Sequence, residues 1–253
     1  MNVRKATIFT ACLLLACAQA AHGKTQAPLA RARQLVVVTT RGWDEVPGLL
    51  RRFERKGAKG VWTQVGKDVP VAVGRNGLGW GAGLVETSTE AGPQKKEGDG
   101  KAPAGLFALG SAFGFAPTQE AAWLRFPYIQ LTPSVECVDD TASRNYNLIV
   151  DRLAAGGVDW NSSEHMRAVE GYRWGMVVRH NAAPTVAGRG SCIFLHVWAG
   201  PGKGTAGCTA LEEGSLTELL RWLDPKNGPL LVQLPEADYA RLRAAWRLPA
   251  LDK

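Results

Sequence analysis

Apolar positions along the 253-residue chain fall in short runs separated by glycine-rich and polar stretches, the spacing of many strands and few helices. Gln34–Thr40 (QLVVVTT) is a β-branched run and predicts the first strand. Leu49–Arg55 and Val61–Val65 flank a Lys-Gly-Ala-Lys-Gly stretch and predict a hairpin, with a short amphipathic helix over 47–55 as the alternative. Val69–Val73 predicts another strand, closed by the turn-forming Arg75-Asn76-Gly77. Glycines at 74, 77, 79, 81 and 83 make the next segment loop and tight turns. No helical pattern follows them, so they are not a dinucleotide-binding fingerprint. Residues 91–101 read as an exposed polar loop, and Gly105–Leu109 and Phe126–Leu131 as strands. Trp160–Val169 predicts a helix capped by Ser162 or Ser163, and Trp174–Arg179 and Cys192–Trp198 predict two strongly apolar strands.

The clearest helical signal comes late. Ser215 and Glu218 form a capping-box pair, and Leu216, Leu219, Leu220 and Leu223 follow helical spacing. Asp224-Pro225 and Asn227-Gly228 stop that helix. Pro229–Leu234 predicts a last strand and 236–246 a second helix. With no internal repeat and no Pro/Ser linker, the pattern predicts one mixed α/β, β-rich domain over 34–235, then a C-terminal helix and tail over 236–253.

The first residues differ from the rest. Arg4 and Lys5 precede an apolar run from Ala6 to Ala18, and Ala18-Gln19-Ala20 offers a small-x-small cleavage site. Residues 1–20 therefore read as a secretory signal peptide, and 21–33 as a flexible lead-in. Leu14-Leu15-Ala16-Cys17 also resembles a lipobox, so a lipid anchor at Cys17 is the alternative way to reach the membrane. Either route predicts the periplasm or cell envelope. The net charge of +7 is mild, and no basic run with interleaved aromatics points to nucleic acid.

After signal removal the cysteines are Cys137, Cys192 and Cys208. An oxidising compartment favours pairing, yet three thiols cannot all pair within one chain. Cys137 and Cys192 can pair, or Cys192 can lie buried in its apolar strand.

Ser191–Leu211 (SCIFLHVWAGPGKGTAGCTAL) carries the candidate chemistry. An apolar strand delivers His196 to its far end, and a glycine-rich loop returns to Cys208. A thiol is a weak nucleophile until a base takes its proton, so a strand end and a return loop can assemble a Cys208–His196 pair. Gly207 permits a tight turn, and amides of Gly207 and Thr209 are candidate oxyanion support. Read from the residues alone, a core cysteine beside a half-buried histidine accounts for the segment equally well.

His196 followed by Thr205-Ala206-Gly207-Cys208 resembles the signature of the L,D-transpeptidase catalytic domain (YkuD) family, a histidine, a spacer and Ser/Thr-His-Gly-Cys. Glu97-Gly98-Asp99-Gly100-Lys101-Ala102-Pro103-Ala104-Gly105 resembles the Gly-Asp-x-x-Thr-Pro-x-Gly segment of the same domain. The resemblance spans roughly 34–235. It implies a β-sandwich-like domain acting on peptidoglycan stem peptides, with a thioester on Cys208 and no cofactor or metal. It further implies that His196 is oriented by a main-chain carbonyl rather than by an acid. The same acyl-enzyme can pass to an amine or to water, so the hydrolase alternatives are an L,D-carboxypeptidase or an amidase releasing a wall-anchored protein. A third alternative is an inactive peptidoglycan-binding protein.

Departures from the family pattern mark a divergent branch. The spacing from His196 to Cys208 is short, Ala206 replaces a histidine, Ala210 an arginine, and Ala102 the threonine of the upstream segment. His180, at the end of the preceding strand, is a candidate to lie beside His196 and stand in for the histidine missing at 206. His180, Trp198 and Thr205 are the candidate substrate-binding residues. Glu164 and His165 adjoin but lack zinc-motif spacing with the other histidines. Asp139, Asp140 and Asp151 read as solvated loop acids.

Overall fold

The computed structural model describes residues 29–57 and 59–251. The signal peptide, the Cys17 anchor and most of the lead-in lie outside the described residues. The elements, in chain order, are Gln34–Thr40 (β1), Pro47–Glu54 (β2), Thr63–Ala72 (β3), Leu78–Trp80 (β4), Ala102–Gly114 (β5), Tyr128–Gln130 (β6) and Val135–Val138 (β7). Ile149–Asp151 (β8), Ser163–His165 (β9), Trp174–Val178 (β10), Phe194–Val197 (β11) and Thr209–Leu211 (β12) follow. Glu213–Trp222 (α1), Leu230–Pro235 (β13) and Glu236–Trp246 (α2) complete the chain.

The β-rich mixed class holds, but the main sheet closes into an eight-stranded barrel rather than forming an evident sandwich. Its path runs β10-β11-β12-β3-β2-β1-β13-β5 and returns to β10. The reason lies in β5, which is 13 residues long. Its first half, Gly105–Ala108, pairs with β13, and its second half, Leu109–Gly114, pairs with β10 across a bulge between Met176 and Val178. One long strand thus joins edges that would otherwise belong to two sheets. β3 likewise runs through both short strands expected over 61–73, and the helical alternative over 47–55 is replaced by β2.

Strand alternation creates two cores. Leu195, Val197 and Leu211 join the principal cluster with Val36, Val38, Leu106, Val232 and the leucines of α1. The opposite face of β5 and β11 presents Phe113 and Phe194 to a second cluster with Val135, Cys137, Met166, Tyr172, Cys192 and Cys208. A separate three-stranded sheet, β8-β7-β9, supplies Val135 and Cys137 to that cluster, and the Cys137–Cys192 disulfide staples it to the strand leading into β11.

The helix expected over Trp160–Val169 is absent. Ser163–His165 is a strand paired with β7, followed by a single 3-10 turn at Met166–Ala168. Buried Glu136 organises this region: it accepts from both Arg152 Nε and Nη2, from Trp160 Nε1 and from Ser163 Oγ. Ser163 is thereby taken as a cross-strand donor and not as a helix cap. In α1 the cap is Glu212, whose carboxylate accepts the Ser215 N–H at 2.8 Å, so Ser215 lies inside the helix.

Candidate active site

Leu195 faces Thr209 and His196 faces Ala210 in the parallel β11–β12 ladder, which sets Cys208 opposite Phe194. Phe194, His196, Cys208 and Ala210 therefore project from one face, outside the barrel, toward the second core. Cys208 and His196 line one cleft of about 490 Å³. Glu97 and Gly98 of the upstream segment line it too, so the two separated sequence segments meet there.

The His196 Nδ1 lies 2.8 Å from the Val197 carbonyl, which identifies Nδ1 as the protonated nitrogen and leaves Nε2 as the acceptor. Burial lowers the His196 pKa, so the imidazole is neutral and able to take a proton. The ring packs edge-on against Tyr172, with centroids 5.2 Å apart.

Cys208 is 5% exposed and the free cysteine among the described residues. Its sulfur accepts the Phe194 N–H at 3.3 Å and donates to the Cys192 carbonyl at 3.5 Å; neither bond goes to His196. Burial, and then the Glu164 carboxylate, push the thiol well above its ordinary range, against smaller opposing contributions from Phe194, Tyr172 and Lys95.

Several expected roles need correction. The Gly207 amide donates to Thr205 Oγ1 at 3.1 Å, and Thr205 Oγ1 donates to the Cys208 carbonyl at 2.6 Å. Thr205 holds the turn and also lines the cleft, and the Gly207 amide is engaged by Thr205 Oγ1. Thr209 sits in the ladder, and its hydroxyl donates to Gln233 Oε1 at 2.7 Å on the buried side. Among the described residues the Cys208 amide has no protein acceptor. His180 does not lie beside His196. The antiparallel β10–β11 register puts Gly175 opposite His196, and His180, past the end of β10, reaches the Arg189 carbonyl instead. His180 is 1% exposed and burial holds its pKa down at about 4. Trp198 follows β11 half-buried and does not line the cleft.

Five lining residues were not foreseen from the sequence. Lys95 Nζ enters the cleft, held by Asp99 Oδ1 at 2.6 Å and the Lys96 carbonyl at 2.7 Å. Asp99 also accepts the Lys96 and Lys101 amides, so the acid of the upstream segment knots the loop that presents Lys95. Glu97, Asp139, Glu164 and Tyr172 line the remaining wall. Strand alternation in β9 sends Glu164 into the cleft and His165 to Glu136, 3.1 Å away, which separates the adjacent pair. Burial, with Asp139 and Glu97 adding repulsion against a hydrogen bond from Tyr172, raises Glu164 to about 7. Arg75 and Lys203 stand exposed at the rim, without acidic partners among the described residues. No family model, no curated protein and no solved structure matches the chain.

Proposed function

We propose that this protein is an exported, L,D-transpeptidase-like cysteine acyltransferase acting on peptidoglycan stem peptides. The observation that carries the reading is the placement of Cys208 and a carbonyl-oriented His196 on one face of the β11–β12 ladder, inside one cleft. In the reaction Cys208 Sγ attacks the carbonyl between the diaminopimelate and D-alanine of a donor stem. The thiol proton passes to a base, the C–N bond breaks, D-alanine leaves as a protonated amine, and a thioester remains. An acceptor amine, on a second stem or on a wall-anchored protein, then takes the acyl group; water in its place gives the carboxypeptidase outcome. Arg75 and Lys203 suit the carboxylates of such a stem, and supply at the rim the positive charge that Ala210 lacks.

The Cys137–Cys192 disulfide favours an oxidising compartment, in keeping with export to the periplasm. No helix of the described residues is long and apolar enough to cross a membrane.

A second reading is favoured by one specific observation: the sulfur is nearly covered and its thiol is disfavoured as thiolate. On that reading the chain binds wall peptides and Cys208 is a packing residue. Incubation of tetrapeptide muropeptides with wild type and Cys208→Ala, followed by product masses, decides between them. Cross-linked dimers or released D-alanine, lost in Cys208→Ala, are expected. Unchanged muropeptides with the wild-type protein would leave only the binding reading.

A further inference from the structure

Tyr172 and Glu164 line the same cleft as Cys208. Tyr172 sits in the 3-10 turn Glu170–Arg173 and is 4% exposed, packed edge-on between Phe113 and Phe194. Its hydroxyl donates to Glu164 Oε2 at 2.6 Å, and the ring shares one buried cluster with Cys208. The ring cannot swing away, because three aromatic neighbours, Phe113, Phe194 and His196, fix it. Glu164 is anchored in turn by β9, where it pairs with the disulfide-bonded Cys137.

We propose that Glu164, acting through the Tyr172 hydroxyl, receives the Cys208 thiol proton, so that activation of the nucleophile does not depend on His196 alone. The proposal rests on the acyltransferase reading and deepens it. In the step, the Cys208 S–H bond breaks and its proton goes to the Tyr172 oxygen. The Tyr172 O–H bond breaks, and that proton goes to Glu164 Oε2. The S–H electron pair stays on sulfur and forms the new bond to the carbonyl carbon. Tyr172 ends neutral, as it began, and Glu164 ends protonated. The same path returns the proton when the leaving nitrogen departs.

The setting suits this role. Asp139, beyond β7, and Glu97, before β5, repel a negative Glu164, while Lys95 faces the same space with its charge largely matched by Asp99. Arg75 and Lys203 belong to the rim. A carboxyl so placed, at about 7, exchanges a proton near neutrality, whereas burial makes His196 a weaker base than an ordinary histidine. In this scheme the thiol, which at rest donates to the Cys192 carbonyl, turns to the Tyr172 oxygen, and Glu164 acts through Tyr172.

The test uses the thiol itself. Alkylation of Cys208 by iodoacetamide is followed by intact mass from pH 5.5 to 9 for wild type, Glu164→Gln and Tyr172→Phe. The wild-type rate is expected to show an inflection near 7, where Glu164 becomes able to accept. Both variants are expected to lose that inflection and to react about ten-fold or more slowly at pH 8. A carboxylate that merely repels the thiolate gives the opposite result: Glu164→Gln would then react faster, and a rate unchanged or raised overturns the relay. Tyr172→Phe keeps the aromatic packing, so it decides the matter if Glu164→Gln fails to fold. Alkylation needs no wall peptide. Muropeptides left unchanged beside an intact wild-type inflection therefore sink the acyltransferase reading and not the relay.

Discussion

Cys208 stands opposite Phe194 and not opposite His196, so thiol and imidazole are diagonal neighbours, offset along the β11–β12 ladder. Diagonal positions on one sheet face lie roughly 7–8 Å apart. The resting thiol is thus held by the backbone of Phe194 and Cys192.

His196→Ala is expected to lower turnover of tetrapeptide muropeptides by ~10²–10⁴-fold, the usual worth of a positioned base. Its thermal midpoint should stay near that of wild type, since the ring lies at the cleft and not in the barrel interior. Turnover within three-fold of wild type would remove His196 from the mechanism and leave the Tyr172–Glu164 path as the sole route.

The Cys137–Cys192 bond closes a loop of 55 residues and ties the small sheet over the cleft. The double variant Cys137→Ala, Cys192→Ala should lose ~2–4 kcal/mol, a fall of roughly 5–15 °C in thermal midpoint. Without the staple, the second core opens more often and Cys208 should be alkylated about ten-fold faster. A variant that melts lower while Cys208 reactivity stays unchanged would show that the small sheet does not govern access to the sulfur.

Glu136 gives the fold a defined acid limit. Burial alone would raise its carboxyl, but hydrogen bonds from Arg152, Trp160 and Ser163 outweigh it and hold the group down at about 2, against 4.5 for an ordinary glutamate. A depressed folded-state pKa adds stability that is complete above the unfolded value and is lost as pH falls through the folded one. Stability should therefore drop by roughly 2 kcal/mol between about pH 4.5 and 2 through this group alone. Urea midpoints measured at pH 6, 4 and 3 should decline less steeply in Glu136→Gln than in wild type. Parallel declines would assign the acid sensitivity elsewhere.

Local pattern was readable wherever a run was bounded by strong punctuation. β1 and α2 occupy the expected residues, because residues 36–40 are all β-branched and Pro235 leads directly into Glu236. The β2–β3 hairpin was legible from its Lys-Gly-Ala-Lys-Gly turn region. Barrel closure was not, because it depends on β5 serving two partners, and no local signal marks where along 102–114 the partner changes. The segment 160–169 looked helical because its polar residues fit a helix. Their actual spacing serves one buried carboxylate, Glu136, that lies 24 residues from Trp160. Cys208 and His196 could be paired in sequence because a strand and its return loop are local. Tyr172, Glu164 and Lys95 come from three other segments, and only the fold brings them to the sulfur. For Glu164, strand alternation against His165 was the one usable hint.

The parallel pairing of β1 with β13 runs from Leu35↔Leu230 to Thr40↔Pro235. A chain made from its N-terminus onward must therefore hold its opening strand unpaired on that edge until residue 235 has emerged. Whatever carries this polypeptide during synthesis has to shield the valine-rich edge of β1 until β13 has been made.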